Sequence, residues 1–130
     1  MADHPNIEVF KRAMNAFVAG DMDALAKVFH PDVVWHMSGH NQLSGTYRGR
    51  DATFALFQRE FQLTDGTYRP QLQDVLANDE HTVALLHATA SREGKELDMD
   101  YVIVFRIQDG QITEARGLWS DQKAYDGFWS

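Results

Sequence analysis

His36 stands in the middle of an apolar run, Val33-Val34-Trp35-His36-Met37-Ser38-Gly39. An imidazole titrates near ~6.5, so at neutral pH much of it is free to take up a proton, as a general base must. A cavity lined by Phe, Trp and Met would disfavour the charged ring and keep it in the free-base form. The competing reading is a core histidine hydrogen-bonded to a neighbour and doing no chemistry. His36 and His40 are four residues apart. That spacing serves a metal on a helix, not on a strand entering a glycine-punctuated loop, so no metal or other cofactor is expected. The chain has no cysteine, which excludes disulfides, thiolate nucleophiles and zinc–thiolate sites.

The elements that must hold these groups are legible from spacing. Ile7, Phe10, Met14 and Phe17 form one stripe of an amphipathic helix, with Pro5 in its first turn and Gly20 at its end. Asp21 suits the cap of a second short helix burying Met22, Leu25, and Val28 or Phe29, which His30-Pro31 stops. After the Val33–Gly39 strand comes a polar loop from Gly39 through Gly45 to Gly49. A third helix then starts at Asp51, with Phe54, Phe57 and Phe61 on one face, and breaks at Thr64-Asp65-Gly66. From Thr67 the chain reads as strands: Tyr68–Ala77, Thr82–Arg92, Leu97–Ile107 and Ile112–Ser120. Asn78-Asp79, Glu93-Gly94 and Asp109-Gly110 supply the turns. Helices first and an antiparallel meander afterwards predict a single α+β domain over residues 1–130, a curved sheet closing over a helical layer.

The formal charge of −7 at pH 7 argues against nucleic acid or an anionic membrane as partner, since both need a basic stripe. No stretch approaches the ~20 apolar residues of a membrane span. The first residues, MADHPNIEVF, lack the basic segment and apolar run of a signal peptide, so a cytoplasmic chain is expected.

Strand alternation sorts side chains into faces. Val34, His36 and Ser38 share one face of the first strand; Trp35 and Met37 share the other. A two-residue turn at Glu93-Gly94 places Leu86 opposite Tyr101, Ala84 opposite Ile103, and His87 opposite Asp100 on the reverse side. At Gln108-Asp109-Gly110 a three-residue loop would pair Tyr101 with Gly117 and Met99 with Trp119. A plain two-residue turn would shift the last strand by one and reverse its faces.

Several motifs in this order resemble the nuclear-transport-factor-2-like superfamily, which includes ketosteroid isomerases and polyketide-cyclase-like (SnoaL-like) proteins. They are Ala19-Gly20-Asp21; Phe29 with Asp32-Val33-Val34-Trp35-His36; Gly45-Thr46-Tyr47-Arg48-Gly49; Phe105-Arg106-Ile107; Asp109-Gly110-Gln111-Ile112; and Leu118-Trp119-Ser120-Asp121. The resemblance spans nearly the whole chain. It implies a cone: a strongly bent antiparallel or mixed sheet wrapped around three helices, enclosing an apolar cavity, in a protein that often dimerises. It also implies that His36 takes the place of the isomerases' catalytic aspartate inside the cavity, with Trp119 as a lining tryptophan. The bulged three-residue loop is the register that puts Trp119 there, and Asp121 beyond it. Ala13 and Ile103 fall where those isomerases carry a tyrosine and a protonated aspartic acid, so the oxyanion donors are missing and steroid isomerisation is not expected.

Two functions follow as expectations. One is a small cofactor-independent isomerase, cyclase or hydratase acting on an apolar, carbonyl-bearing molecule. In it His36 is general base, Asp121 orients it or shares its proton, and Tyr101, on the strand face of Ile103, polarises the carbonyl. Met14, Phe17, Phe54, Phe57, Leu86, Met99, Ile103 and Trp119 would form the wall. The other is a non-catalytic ligand-binding or association domain, with Asp121 as a helix cap and Tyr101 as packing. The outer sheet face carries Leu85, Val102, Val104 and Leu118 around the His87–Asp100 pair, which points to a homodimer interface.

Overall fold

The computed structural model describes residues 4–130. Helix α1 (Pro5–Ala19) begins at a proline whose missing N–H would be unpaired anyway, and ends at Gly20, held at φ 71° in the left-handed region. Helix α2 (Met22–Val28) is capped by Asp21, which accepts the Ala24 N–H at 3.1 Å. The chain then turns straight into β1 (Phe29–Met37), so Phe29 is already strand. His30-Pro31 therefore lies inside the strand rather than ending the helix, and the ladder to β6 slips between Phe29 and Val34. A short strand, β2 (Gly45–Arg48), pairs with β1 inside the segment expected to be loop. It is an edge strand with little burial, so no apolar alternation marks it.

Helix α3 (Arg50–Leu63) is followed by β3 (Arg69–Ala77), β4 (Thr82–Arg92), β5 (Lys95–Gln108), β6 (Gln111–Trp119) and a fourth helix, α4 (Gln122–Phe128). The six strands form one curved, unclosed sheet in the order β2-β1-β6-β5-β4-β3, mixed because β1 runs parallel to β6. Its concave face carries Trp35, Leu86, Ala88, Tyr101, Phe105 and Ala115 against α1 and α3, and the core lies there.

The β4–β5 hairpin has the expected register: Leu86 opposite Tyr101, Ala84 opposite Ile103, His87 opposite Asp100. The β5–β6 hairpin does not. Its turn has two residues, Asp109 and Gly110, both at positive φ (52° and 78°), as a tight hairpin of the primed type requires. Such a turn alone would reverse the faces of β6. A bulge at Thr113 inserts one unpaired residue and reverses them again, so Tyr101 lies opposite Trp119 and Ile103 opposite Gly117. The partners sit two residues from the expected Tyr101–Gly117 and Met99–Trp119 pairs, yet Trp119 keeps the inner face.

Helix α4 closes one end of the sheet. Tyr125, Phe128 and Trp129 are buried. Arg92 donates to the carbonyls of Phe128 and Ser130 at 3.2 and 2.9 Å, and Lys95 to that of Gly127 at 3.1 Å. From the other side Asn41 donates to Asp126 at 2.7 Å and Gln42 to the Trp129 carbonyl at 2.8 Å. Gly39, at φ 93°, passes so close to Gln122 and Asp126 that a β-carbon would collide with both.

Candidate functional site

The space between α1, α3 and the concave sheet face is a cavity of about 80 Å³. Met14, Phe17, Phe57, Leu86, Tyr101, Ile103 and Trp119 line it, together with Phe10, Trp35, Met37, Tyr68 and Phe105. Two expected wall residues stand back. Phe54 packs behind it, its ring 5.4 Å from Phe29 and 6.1 Å from Phe57. Met99 lies farther along the same face of β5, packed against the core.

His36 is the main correction. Alternation along β1 puts Phe29, Val33, Trp35 and Met37 inward and His36 on the convex face. Trp35 and Met37 are the bulkier apolar side chains, and Trp35 packs on Phe57 (5.0 Å) and Phe105 (6.0 Å). Turning His36 inward would expel both of them to water, so the hydrophobic term decides the face. His36 instead places Nε2 3.1 Å from Glu114 Oε2 and Nδ1 3.2 Å from Thr46 Oγ1. The hydrogen bond from His36 holds the Glu114 carboxyl below its usual range.

Asp121 is the second correction. Its carboxylate caps α4, accepting the Ala124 N–H at 3.0 Å, and it makes no contact with His36. The pair expected to pass a proton is thus not assembled. Two other expected placements agree with the geometry. Tyr101 faces the cavity beside Ile103. His87 lies on the outer face with Nδ1 2.7 Å from Asp100 and Nε2 2.5 Å from Asp98, and these bonds raise its pKa, Asp100 foremost. Among the described residues no group of three or more metal-ligating side chains is close enough to hold an ion.

The titratable group the cavity does hold is Glu60. Thr53, Leu56, Phe57, Glu60 and Thr64 form the inward stripe of α3 and its cap, at spacings of three and four. Glu60 is 6% exposed and lines the cavity. Burial pushes its carboxyl up to about 8. It is therefore predominantly a neutral acid at pH 7. Tyr68 and Tyr101 line the same space, and burial raises both phenols; each acts on the other and feels Glu60. Trp119 stacks on Tyr101 (centroids 4.2 Å, planes 15° apart) and on Tyr125 (3.7 Å, 19°). The cavity is an apolar chamber with one polar cluster: a carboxylic acid, two phenols and an indole.

This architecture matches a known family. The SnoaL-like domain profile covers residues 10–115. The chain belongs to the SnoaL-like family. It is 34% identical, over the full length of both chains, to uncharacterised proteins of Mycobacterium bovis and Mycobacterium tuberculosis. Among solved structures it is similar to Bal32a from a soil-derived mobile gene cassette, with 36% identity, a TM-score of 0.93 and 96% of each chain covered. It is also similar to a protein with a cystatin-like fold from Xanthomonas campestris (30% identity, TM-score 0.89, 95% of this chain and 97% of that one). A SnoaL-like polyketide cyclase from Jannaschia, at 18% identity and a TM-score of 0.80 over 100% of this chain and 97% of that one, shares the fold.

Glu60 was missed because a charged residue between Arg59 and Phe61 reads as solvent-facing. The signal that finds it is its spacing, three residues after Phe57 and seven after Thr53. Ala13 and Ile103 both line the cavity and offer no hydrogen-bond donor, so donors near that wall come from the polar cluster.

Proposed function

We propose that this SnoaL-like domain is a cofactor-independent enzyme of the isomerase, cyclase or hydratase class, acting by acid–base chemistry on an apolar, carbonyl-bearing molecule in the cone cavity. The observation that carries this is Glu60, a lone carboxylic acid facing an apolar chamber. A carboxyl titrating near 8 donates a hydrogen bond to a carbonyl oxygen in its resting form. Once deprotonated it is a far stronger base than an ordinary carboxylate, so it can remove a proton α to that carbonyl and return it elsewhere. Tyr101 and Tyr68 supply donors beside it, and the apolar wall keeps water from competing. The polyketide-cyclase-like neighbours support the reading at the level of fold.

The test is exchange of the α-protons of a small aryl ketone into deuterated water, followed by proton NMR. Wild type is expected to catalyse exchange with a rate that rises toward a pH near 8, and Glu60→Gln to lose roughly 100-fold or more. Exchange that survives in Glu60→Gln would remove Glu60 from the mechanism. No exchange with any ketone would favour the second reading, a non-catalytic ligand-binding domain, for which the largely apolar wall is equally suited.

The same proposal includes a homodimer through the convex sheet face. Leu118 is 50% exposed there, in a hollow lined with Leu85, Val102, Gln73 and Asp100. An exposed leucine amid strand residues of that kind supports self-association. Sedimentation of wild type against Leu118→Lys checks it: a dimer converted to a monomer is the expected outcome.

A further inference from the structure

The outer face of β5 has a direction. Tyr101, Ile103, Phe105 and Ile107 point inward, so Asp98, Asp100, Val102, Val104 and Arg106 point outward in that order. The paired strands extend the pattern. Val102 lies opposite Leu85 on β4 and Leu118 on β6, and Val104 opposite Val83 and Arg116. The convex face is therefore acidic toward the β4–β5 turn, apolar across the middle and basic toward the β5–β6 turn. Each end holds one group of the opposite sign. His87 lies between Asp98 and Asp100, and its bonds to them raise its pKa, yet one imidazolium offsets only one of two carboxylates. Glu114 pairs with Arg106 at 3.4 Å and leaves Arg116 in excess.

Asp98 and Arg106 stand roughly 27 Å apart along the strand, well beyond the ~8 Å over which charges act at physiological salt, so the two ends of one molecule do not neutralise each other. Two copies that meet by this face with their strands aligned have two choices of two-fold axis. An axis along the strands sets Asp98 and Asp100 on their own counterparts, and Arg106 on its own. An axis across the strands reverses β5. Passing over the Leu85–Val102–Leu118 row, it lets those three residues meet their own counterparts while the charged ends exchange. Asp98 then stands over Arg106 of the second copy, and Asp100 over Val104 beside Arg116. Like charges face to face cost more than exposed ion pairs gain, so charge selects the second arrangement while the apolar row supplies the affinity.

We propose that two copies of this chain pair with their β5 strands antiparallel, about a two-fold axis over the Leu85–Val102–Leu118 row, with Asp98 and Asp100 of each copy against Arg106 and Arg116 of the other. This rests on the proposed convex-face dimer and adds its orientation and the source of its specificity.

The experiment is sedimentation of the whole chain carrying charge reversals. Asp98→Lys with Asp100→Lys, and separately Arg106→Glu with Arg116→Glu, are each expected to weaken the dimer by about 100-fold or more, because both ends of the interface then carry one sign. An equimolar mixture of the two variants is expected to recover the dimer, and so is one chain carrying all four changes. The four side chains are exposed, so the fold is expected to survive, and circular dichroism checks it. A second readout does not depend on charge. The chain has no cysteine, so a short bismaleimide should join Asp98→Cys to Arg106→Cys in a mixture and should join neither variant to itself. A wild type that stays monomeric would overturn both the dimer and this arrangement. A dimer broken by Leu118→Lys but indifferent to both charge reversals, or Asp98→Cys linked to itself, would overturn the arrangement and leave the convex-face dimer standing. Loss of the dimer in both variants without recovery in the mixture would overturn the arrangement as well.

Discussion

Replacing Glu60 by glutamine should change the pH dependence of stability in a direction opposite to ordinary acid denaturation. In the unfolded chain the carboxyl loses its proton near 4.5, whereas in the folded chain burial holds the proton until about 8. Between those values the folded state binds more protons than the unfolded state, so stability falls as pH rises and is fully reduced only above the folded value. At about 1.4 kcal/mol per pH unit the interval amounts to about 5 kcal/mol. That is a large share of the ~5–15 kcal/mol typical of a domain this size. Glutamine is nearly isosteric and never ionises, so Glu60→Gln should match wild type within about 1 kcal/mol near pH 4 and exceed it by several kcal/mol near pH 9. Urea unfolding of both proteins at those two values measures the difference, and the other titrating groups cancel between them. A wild-type-to-variant gap that stays constant within about 1 kcal/mol would refute the claim that Glu60 is buried and neutral. A carbon-13 titration of the Glu60 carboxyl with a midpoint near the ordinary carboxylate value would refute it independently.

Other outcomes follow from the placements described. Asp121→Ala should cost about 1 kcal/mol through loss of the α4 cap, read by thermal unfolding, and should leave catalysis and ligand affinity unchanged. His36→Gln should keep at least half of any α-proton exchange activity and lose less than about 1 kcal/mol, since its pairing with Glu114 is on the outer face; a collapse of the rate would restore the histidine as the base. Gly39→Ala should lower the unfolding midpoint in urea by the equivalent of about 2 kcal/mol, because the φ of 93° and the collision with Gln122 and Asp126 both oppose a side chain there. Tyr101→Phe should lower exchange activity about tenfold while holding stability nearly constant, a split that a purely packing role would not produce.

Much of the fold could be read from residue order, and the reasons differ by element. Glu93-Gly94 is a two-residue turn whose chemistry sets the β4–β5 register outright, so every pair along it followed. The β5–β6 register needed knowledge of a bulge at Thr113, and no residue type announces one there. β2 escaped notice because an exposed edge strand has no apolar period. At the site, strand alternation correctly divided His36 from Trp35 and Met37, but alternation does not say which side is inward. Resemblance to an aspartate-based active site chose the wrong side, and the bulk of Trp35 against Phe57 and Phe105 would have chosen the right one. Glu60 was hidden for the opposite reason: burying a lone carboxyl is costly enough that sequence reasoning discounts it, and such costs are tolerated mainly where chemistry is done.

The Thr113 bulge has a consequence for how this chain can change over generations. Side-chain direction in a strand repeats every two residues, so the tight Asp109-Gly110 turn and the extra residue at Thr113 act together as a parity correction. Deleting or inserting one residue between Gly110 and Ala115 would leave the hairpin paired. It would also send Arg116 and Leu118 into the chamber and eject Gly117 and Trp119. Two-residue changes, or a single change matched by loss of the bulge, would keep the chamber intact. Length variation tolerated in this hairpin should therefore come in even steps, and an odd step without a compensating bulge marks a relative whose cavity has been rebuilt.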